Sequence, residues 1–486
     1  MLANGVRVIV LLVLGRLLAP AEIGLVAKAM TVLVFAAVIR DLGLGSALVQ
    51  HKDPGEAHVR TAFTVGMSIA VTLALALLIG AGALAEAYRS PVLAPMLRVL
   101  AALIVVRGLA TVAMQLGKRA LDFRTLALAD ALGYSAGAAL SIALAFAGLG
   151  AWSLIYGYLL ETALSTGLLL RKYGGSLRLG FSFPAFRELL RFGGGETVQT
   201  IASVIATQGD YVVVGRQLGE APLGFYQRAY ELVRFPAAAF SSIVGSVLFP
   251  AFARLQEDRA ELGRAFVRAL FATALVLLPA SVVLIALAPE IIRVVLGPAW
   301  GQAVLPFRIM CLGMLFRTNY KMGALVARAC GDVYGVALTQ ILYAATVVGG
   351  ALVSVRWGTA GVAASTTLAI WSLFGTLTWL GLRHVQVTWR QLAQLHVAPL
   401  AFAAACGATA FAFALPLRAI HTPPLLLVAT CLCASAFVFL FGVSLVHHHL
   451  RRTGAPAAEW LWLFTQWARA RRKLRKRLGR APATAR

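Results

Sequence analysis

The sequence predicts an all-α polytopic membrane protein of about fourteen transmembrane helices. They form two pseudo-symmetric six-helix lobes, related as a parallel repeat, plus two further helices. Three observations predict it. Of the 486 residues 60% are hydrophobic and 13% charged, and mean hydropathy is +0.82, whereas a soluble domain keeps about 25% charged residues. Apolar runs long enough to cross a bilayer recur, among them 126–147, 269–288, 397–415 and 424–446. Finally, a charged turn of the first half returns almost unchanged in the second.

Breaks at charged and Pro/Gly-rich positions place helix centres near residues 11, 33, 73, 105, 137, 160, 202, 238, 277, 316, 343, 370, 406 and 435. The first run, 6–18, lacks a small-residue cleavage site and reads as a span, not a signal peptide. The second, seventh and eighth are the most polar. If the N-terminus is inside, the inner connections and the tail carry 28 Lys and Arg, and the outer ones only Arg16, Arg89, Arg216, Arg293, Arg356 and Arg418. The positive-inside rule then puts both ends in the cytoplasm.

The repeat is read from charged and glycine positions, because apolar matches are cheap in such a sequence. Gly15, Arg16, Leu18, Ala21, Gly24, Ala29 and Phe35 return 200 residues later as Gly215, Arg216, Leu218, Ala221, Gly224, Ala229 and Phe235, with Lys28 matched by Arg228. Further on the offset becomes 210: Arg98, Arg107, Asp122 and Gly148 meet Arg308, Arg317, Asp332 and Gly358. Two lobes in the same orientation follow, 1–187 and 188–384, then helices 13 and 14 over 385–450 and a basic tail over 451–486. Transporters use such parallel repeats, with a site between the halves. Only the second copy adds Tyr226, Tyr230, Glu231 and Arg234, so polar contacts are expected to lean towards it.

Ten cations fall at membrane depth: Arg7, Lys28, Arg40, Arg98, Arg107, Arg228, Arg234, Arg308, Arg317 and Lys321. A lipid-facing charge costs roughly 2.5–3.5 kcal/mol on insertion scales, so such residues usually face a wet interior. Some near span ends can snorkel to headgroups, Arg7 and Arg40 above all. Six acids share that depth, Asp41, Asp130, Glu161, Glu196, Asp210 and Glu231, and Glu231 is spaced to pair with Arg228 or Arg234. The remaining excess of arginine suits an anion, phosphate in particular. In the seventh span Glu196, Gln199, Thr200, Ser203, Thr207 and Asp210 share one helical face, a cavity lining or an interhelical hydrogen-bonding stripe. The five cysteines sit in or beside apolar runs and read as filler, with no metal-ligand spacing.

The stretches GRLLAPAEIGLVA, DLGLGSALVQHKD, LLRFGGGETVQT, GDYVVVGRQLGEAPLGFYQRAYELVRFP and VGSVLFPAFARLQED resemble the Wzx-type oligosaccharide flippases. Within the multidrug/oligosaccharidyl-lipid/polysaccharide exporter superfamily, the nearest branch is lipopolysaccharide and exopolysaccharide export. The resemblance covers residues 1–390 and, more loosely, the rest, although the first span begins sooner than is usual in the family. It implies two six-helix lobes of alternating access that flip undecaprenyl-diphosphate-linked oligosaccharide in the bacterial inner membrane, coupled to H+ or Na+. It makes Arg228, Arg234, Arg308, Arg317 and Lys321, with Arg98 and Arg107 weaker, the anion contacts, and Glu196 and Asp210 the coupling or gating groups. Implied partners are the lipid-linked oligosaccharide and a polysaccharide polymerase and co-polymerase.

A drug or cation exporter of the superfamily would have an acid-lined cavity, against the excess of bases here. A lipid II flippase also needs a basic cavity, and charge does not exclude it. A membrane polymerase or ligase needs a large outer loop, but the longest here, 85–96, is about a dozen residues. There is no G-x-x-x-x-G-K-[ST] loop, and no enzymatic activity or cofactor is expected. In the tail, Trp460, Trp462, Phe464 and Trp467 lead a basic run, an interfacial anchor for anionic inner-leaflet lipids and not a nucleic-acid arm. His447–His449 reads as interfacial.

Overall fold

The computed structural model describes residues 2–41, 43–51, 54–243, 252, 255 and 257–453. The expectations for the tail beyond residue 453 lie outside the described residues, as do the side chains of His447–His449 and Glu196. Every regular element among the described residues is helical. The first half contains α1 (Leu2–Leu17), α2 (Pro20–Asp41), α3 (Leu44–Gln50), α4 (Glu56–Ala87), α5 (Leu93–Arg119), α6 (Phe123–Phe146) and α7 (Ala151–Tyr173). Then come α8 (Phe183–Gln217), α9 (Glu220–Ile243), α10 (Arg259–Ala286), α11 (Ala288–Val295), α12 (Val304–Cys311) and α13 (Met314–Ala329). The chain closes with α14 (Val333–Ser354), α15 (Gly358–Leu382), α16 (Trp389–Ala419) and α17 (Pro424–Thr453).

Among the described residues, ten segments are long and apolar enough to cross a membrane, one of which, Val333–Leu382, contains both α14 and α15. Each centre expected from the sequence falls on a helix. Three of those helices lie outside the ten. α1 has only 16 residues, α8 carries the polar stripe, and α9 carries Glu220, Arg228, Glu231 and Arg234. α8 runs unbroken through Gly193–Gly195.

Packing divides the chain into two compact units. The first comprises Met1–Phe235, Ile291–Gly313 and Val333–Thr376; the second Pro236–Glu290, Met314–Asp332 and Leu377–Arg486. In the first, α4 offers a stripe of small residues, Ala70, Ala74, Ala81 and Ala85, to Leu97, Leu100 and Ile104 of α5. Close backbone approach of this kind is what van der Waals attraction needs where lipid supplies no hydrophobic drive between helices. The loop after α5 is tied down by Asp122, whose carboxylate accepts from the Thr125 N–H at 3.2 Å, the Tyr173 hydroxyl at 2.8 Å and the Lys172 ammonium. Those partners, Lys172 foremost, hold the Asp122 carboxyl well below the usual carboxylate range.

The two copies of the repeated turn meet inside this first unit. A Cβ on Gly24 would stand 1.8 Å from the Glu220 carbonyl oxygen, and one on Gly224 2.0 Å from the Pro20 carbonyl oxygen. Pro20 and Glu220 are themselves 200 apart, so α2 and α9 cross reciprocally, each at its own glycine. Beside the crossing, buried Lys28 donates to Glu220 at 3.0 Å and to the Tyr88 carbonyl at 3.3 Å. The end of α1 is held by Trp300, whose indole donates to the Gly15 carbonyl at 2.8 Å, and by Arg16, donating to the Val294 carbonyl at 2.6 Å.

The second unit packs α10 against α13 and α16, and α16 against α17. Arg418 at the end of α16 donates to both oxygens of Glu290, at 2.7 and 3.0 Å, and to the Ala286 carbonyl at 3.1 Å. Inside, Thr273 donates to Asn319 at 2.5 Å. Pro279 in α10, and Pro399 and Pro416 in α16, sit within helices, which neighbouring helices make tolerable in a bilayer. All five cysteines are free thiols.

Candidate functional site

Arg228, on α9, is the most buried of the candidate anion contacts, 8% exposed. Its Nη1 donates to Glu231 one turn on, at 2.5 Å. Its Nε has no hydrogen-bond partner among the described residues. A guanidinium carries five N–H donors in a planar fork, so one carboxylate on its own helix leaves donors aimed elsewhere.

Around it the first unit gathers charge from four helices. Arg107 of α5 and Arg228 both act electrostatically on the Tyr158 hydroxyl of α7, as do Glu161 and Glu231. Tyr134 of α6 shares Glu161, Glu231 and Tyr158 as neighbours and receives Arg7 of α1 as well. The Arg7 guanidinium lies 5.2 Å from the Tyr134 ring centre and 3.4 Å from Asp130. Arginines 7, 107 and 228 therefore share a region with acids 130, 161 and 231. The cluster is mixed in charge.

Asp210 is 3% exposed. It accepts from the Tyr226 hydroxyl at 2.7 Å and from the Tyr211 N–H at 2.9 Å, while the Tyr226 hydroxyl lies 3.2 Å from that of Thr366. This network joins α8, α9 and α15. Arg234, exposed, is an electrostatic neighbour of Tyr211, whose ring meets Tyr226 and Tyr230 edge-on at 5.8 and 5.9 Å. Along α8 the expected stripe is graded: Gln199 and Ser203 half-buried, Thr200 and Thr207 exposed, Asp210 buried.

Arg308 on α12 is half-buried in the first unit, and Arg98 is exposed on α5. Arg317 and Lys321 lie one turn apart on α13, half-buried, in the second unit, with the Lys321 ammonium 5.9 Å from the Tyr320 ring centre. Sequence reasoning left out Tyr134 and Tyr158 as site residues. The signal available was two tyrosines and an acid on apolar spans, Tyr158 one turn before Glu161. One expectation is corrected: Arg40 does not snorkel, since it is 7% exposed and bonded to Asp41 at 2.8 Å, a carboxylate next to it in the chain.

This helical architecture is that of the multidrug and lipid-flipping transporters. The fold superimposes on the lipid II flippase MurJ in an inward closed conformation with TM-score 0.76 at 16% identity, covering 92% of this chain and 98% of that one. An inward-facing multidrug resistance transporter of the MATE family gives TM-score 0.62 at 16% identity, over 78% and 93%. Residues 13–305 match the polysaccharide biosynthesis protein family, and the chain belongs to it. It is 33% identical over 301 residues to the succinoglycan biosynthesis transport protein ExoT of Rhizobium meliloti (strain 1021), spanning 62% of this chain and 60% of that protein. It is 25% identical over 354 residues to the lipopolysaccharide biosynthesis protein WzxC of Escherichia coli (strain K12), spanning 71% and 72%.

Proposed function

We propose that the protein flips an undecaprenyl-diphosphate-linked oligosaccharide, a repeat unit of O-antigen, exopolysaccharide or capsule, from the cytoplasmic to the periplasmic leaflet of the bacterial inner membrane. It does so by alternating access and without enzymatic chemistry. The observation that carries this is Arg228: a guanidinium buried at membrane depth, held from one side by Glu231, with Nε still unbonded among the described residues. A phosphate oxygen satisfies that donor, and arginine's fork matches phosphate bidentately. The relatives' names, succinoglycan transport and lipopolysaccharide biosynthesis, support the same class of cargo.

Residues 1–187 and 188–384 act as the two rocking lobes, with both termini in the cytoplasm. Arg228, Arg107 and Arg234 meet the diphosphate and acidic sugars in the first packing unit, where Arg308 and Arg98 are further anion contacts, as Arg317 and Lys321 are in the second. The driving ion, H+ or Na+, acts on Asp210 and Glu196 of α8, with Glu161 and Glu231 beside the arginines. Anionic inner-leaflet lipids hold the tail, and a polymerase and co-polymerase receive the product. The glycine crossing of α2 and α9, clamped by Lys28 and Glu220, is the outer gate.

The test is reconstitution into liposomes with a fluorescent diphosphate-linked glycan, comparing wild type with R228E, R308E and K321E. Loss of flipping in the variants supports the reading; unchanged flipping after all three reversals overturns it. Wild-type transport of lipid II but of no repeat-unit glycolipid would assign the protein to the other lipid-flipping class.

A further inference from the structure

The candidate cargo site does not involve a second convergence of chemistry, where α3, α4 and α8 meet in the first unit. His51 follows the last residue of α3, His58 lies in the first turn of α4, and Glu188 in the second turn of α8. Glu188 Oε2 stands 2.9 Å from His58 Nε2 and 3.5 Å from His51 Nε2, and the two imidazole centres are 4.8 Å apart. One ligand atom from each of the three residues fits within a 4.8 Å set. Tetrahedral zinc with bonds of about 2.0–2.1 Å separates its ligand atoms by roughly 3.4 Å. The two histidine–carboxylate separations fall on either side of that value and the two histidine nitrogens lie within 4.8 Å of each other, so side-chain adjustment brings the three ligands onto one ion.

The donor chemistry is selective. Two imidazoles and one carboxylate suit Zn2+, Ni2+ or Cu2+, whereas Ca2+ and Mg2+ take oxygen ligands. The histidine side chains are 21% and 17% exposed and Glu188 56%, so the cluster opens to solvent on the carboxylate side and leaves a fourth position for water. The loop is preorganised from behind. Arg119 of α5 donates to the His51 carbonyl at 2.6 Å and to the Leu48 carbonyl at 3.3 Å, fixing the backbone that carries His51. His58 Nδ1 has no partner among the described residues. Its ring is thus hydrogen-bonded only through Nε2, the atom that faces Glu188, and binding an ion there displaces one hydrogen bond.

We propose that His51, His58 and Glu188 form a binding site for a divalent transition metal of the zinc class, which pins the start of α8 to the α3–α4 connection. The residues lie far apart in the chain, 130 positions between His58 and Glu188, so the ion would add a staple to the hydrogen bonds that already tie the start of α8 to α4.

The experiment uses the full chain in detergent, made without a polyhistidine tag and with His447, His448 and His449 changed to Gln. Metal-free protein is titrated with Zn2+ by calorimetry and with Co2+ by visible absorption near neutral pH. The expected result is one saturable equivalent per chain, a tetrahedral Co2+ spectrum, and a rise in Tm with Zn2+. H51A, H58A and E188Q should each weaken binding by about 100-fold or more, since even supporting residues of metal sites count for 10–100-fold. Thermal unfolding of each variant without metal shows whether it is folded, and E188Q, at an exposed position, is the variant least able to disturb the fold. No saturable binding in wild type, or unchanged binding in folded E188Q and in the H51A/H58A double variant, would mean that the histidines merely hydrogen-bond Glu188, and the proposal fails.

Discussion

Arg228 and Glu231 show how one helical turn on α9 can hold a charge in reserve. Their pairing was legible from i, i+3 spacing, but the burial of Arg228 and the approach of Arg107 and Tyr158 were not. A hydrogen bond to a charged group is worth about 1.5–3 kcal/mol, so R228Q should slow glycolipid flipping by roughly 10–100-fold in liposomes. Tyr226 bears on stability instead. Y226F removes the donor to buried Asp210 and should cost about 1.5–3 kcal/mol, read as a lower Tm in detergent. Asp122 gives a pH signature. Its carboxyl titrates below the ordinary aspartate value of about 3.9, so its contribution is complete at neutral pH and is lost as pH falls through the lowered value. D122N should therefore melt below wild type at neutral pH, and the two curves should converge in strong acid.

At the scale of elements, the crossing of α2 and α9 depends on two hydrogens. Any side chain at Gly24 would overlap the Glu220 carbonyl, and any at Gly224 the Pro20 carbonyl. Backbone cannot yield as a flexible side chain can, so G24A or G224A must separate the helices. Spin labels on α2 and α9 should report a longer distance in either variant, while K28M, which removes the ion pair to Glu220 and the bond to the Tyr88 carbonyl but leaves the glycine crossing intact, should broaden the distribution with less displacement. Repetition of Gly-Arg and of glycine before a base marked these helices in the sequence. That the two copies touch, each at its glycine, was not readable from the repeat, because homology between segments says nothing about contact between them. α8 and α9 show the complementary case: their polar residues make them poor membrane spans by composition, yet Asp210 is buried in tertiary hydrogen bonds.

For the whole molecule, the orientation proposed from loop cations predicts that single cysteines placed at residue 180 and in the C-terminal tail react only with reagents that reach the cytoplasm, and one at residue 90 from outside. Labelling of intact cells checks this. The sequence by itself determined that the chain lives in lipid, that its regular elements are helices, roughly where they lie, and that its motifs resemble polysaccharide exporters. Those properties are additive or local: hydropathy sums over a window, backbone groups in hydrocarbon must bond within a helix, and motifs are contiguous. Only the tertiary structure decided which charges meet. Arg7 reaches Asp130 across 123 positions, Lys28 reaches Glu220 across 192, and His58 reaches Glu188 across 130. Each pairing depends on how helices rotate about their axes and on which small residues let them approach. A rotation of one residue, about 100° on a helix of 3.6 residues per turn, would carry those groups to another face.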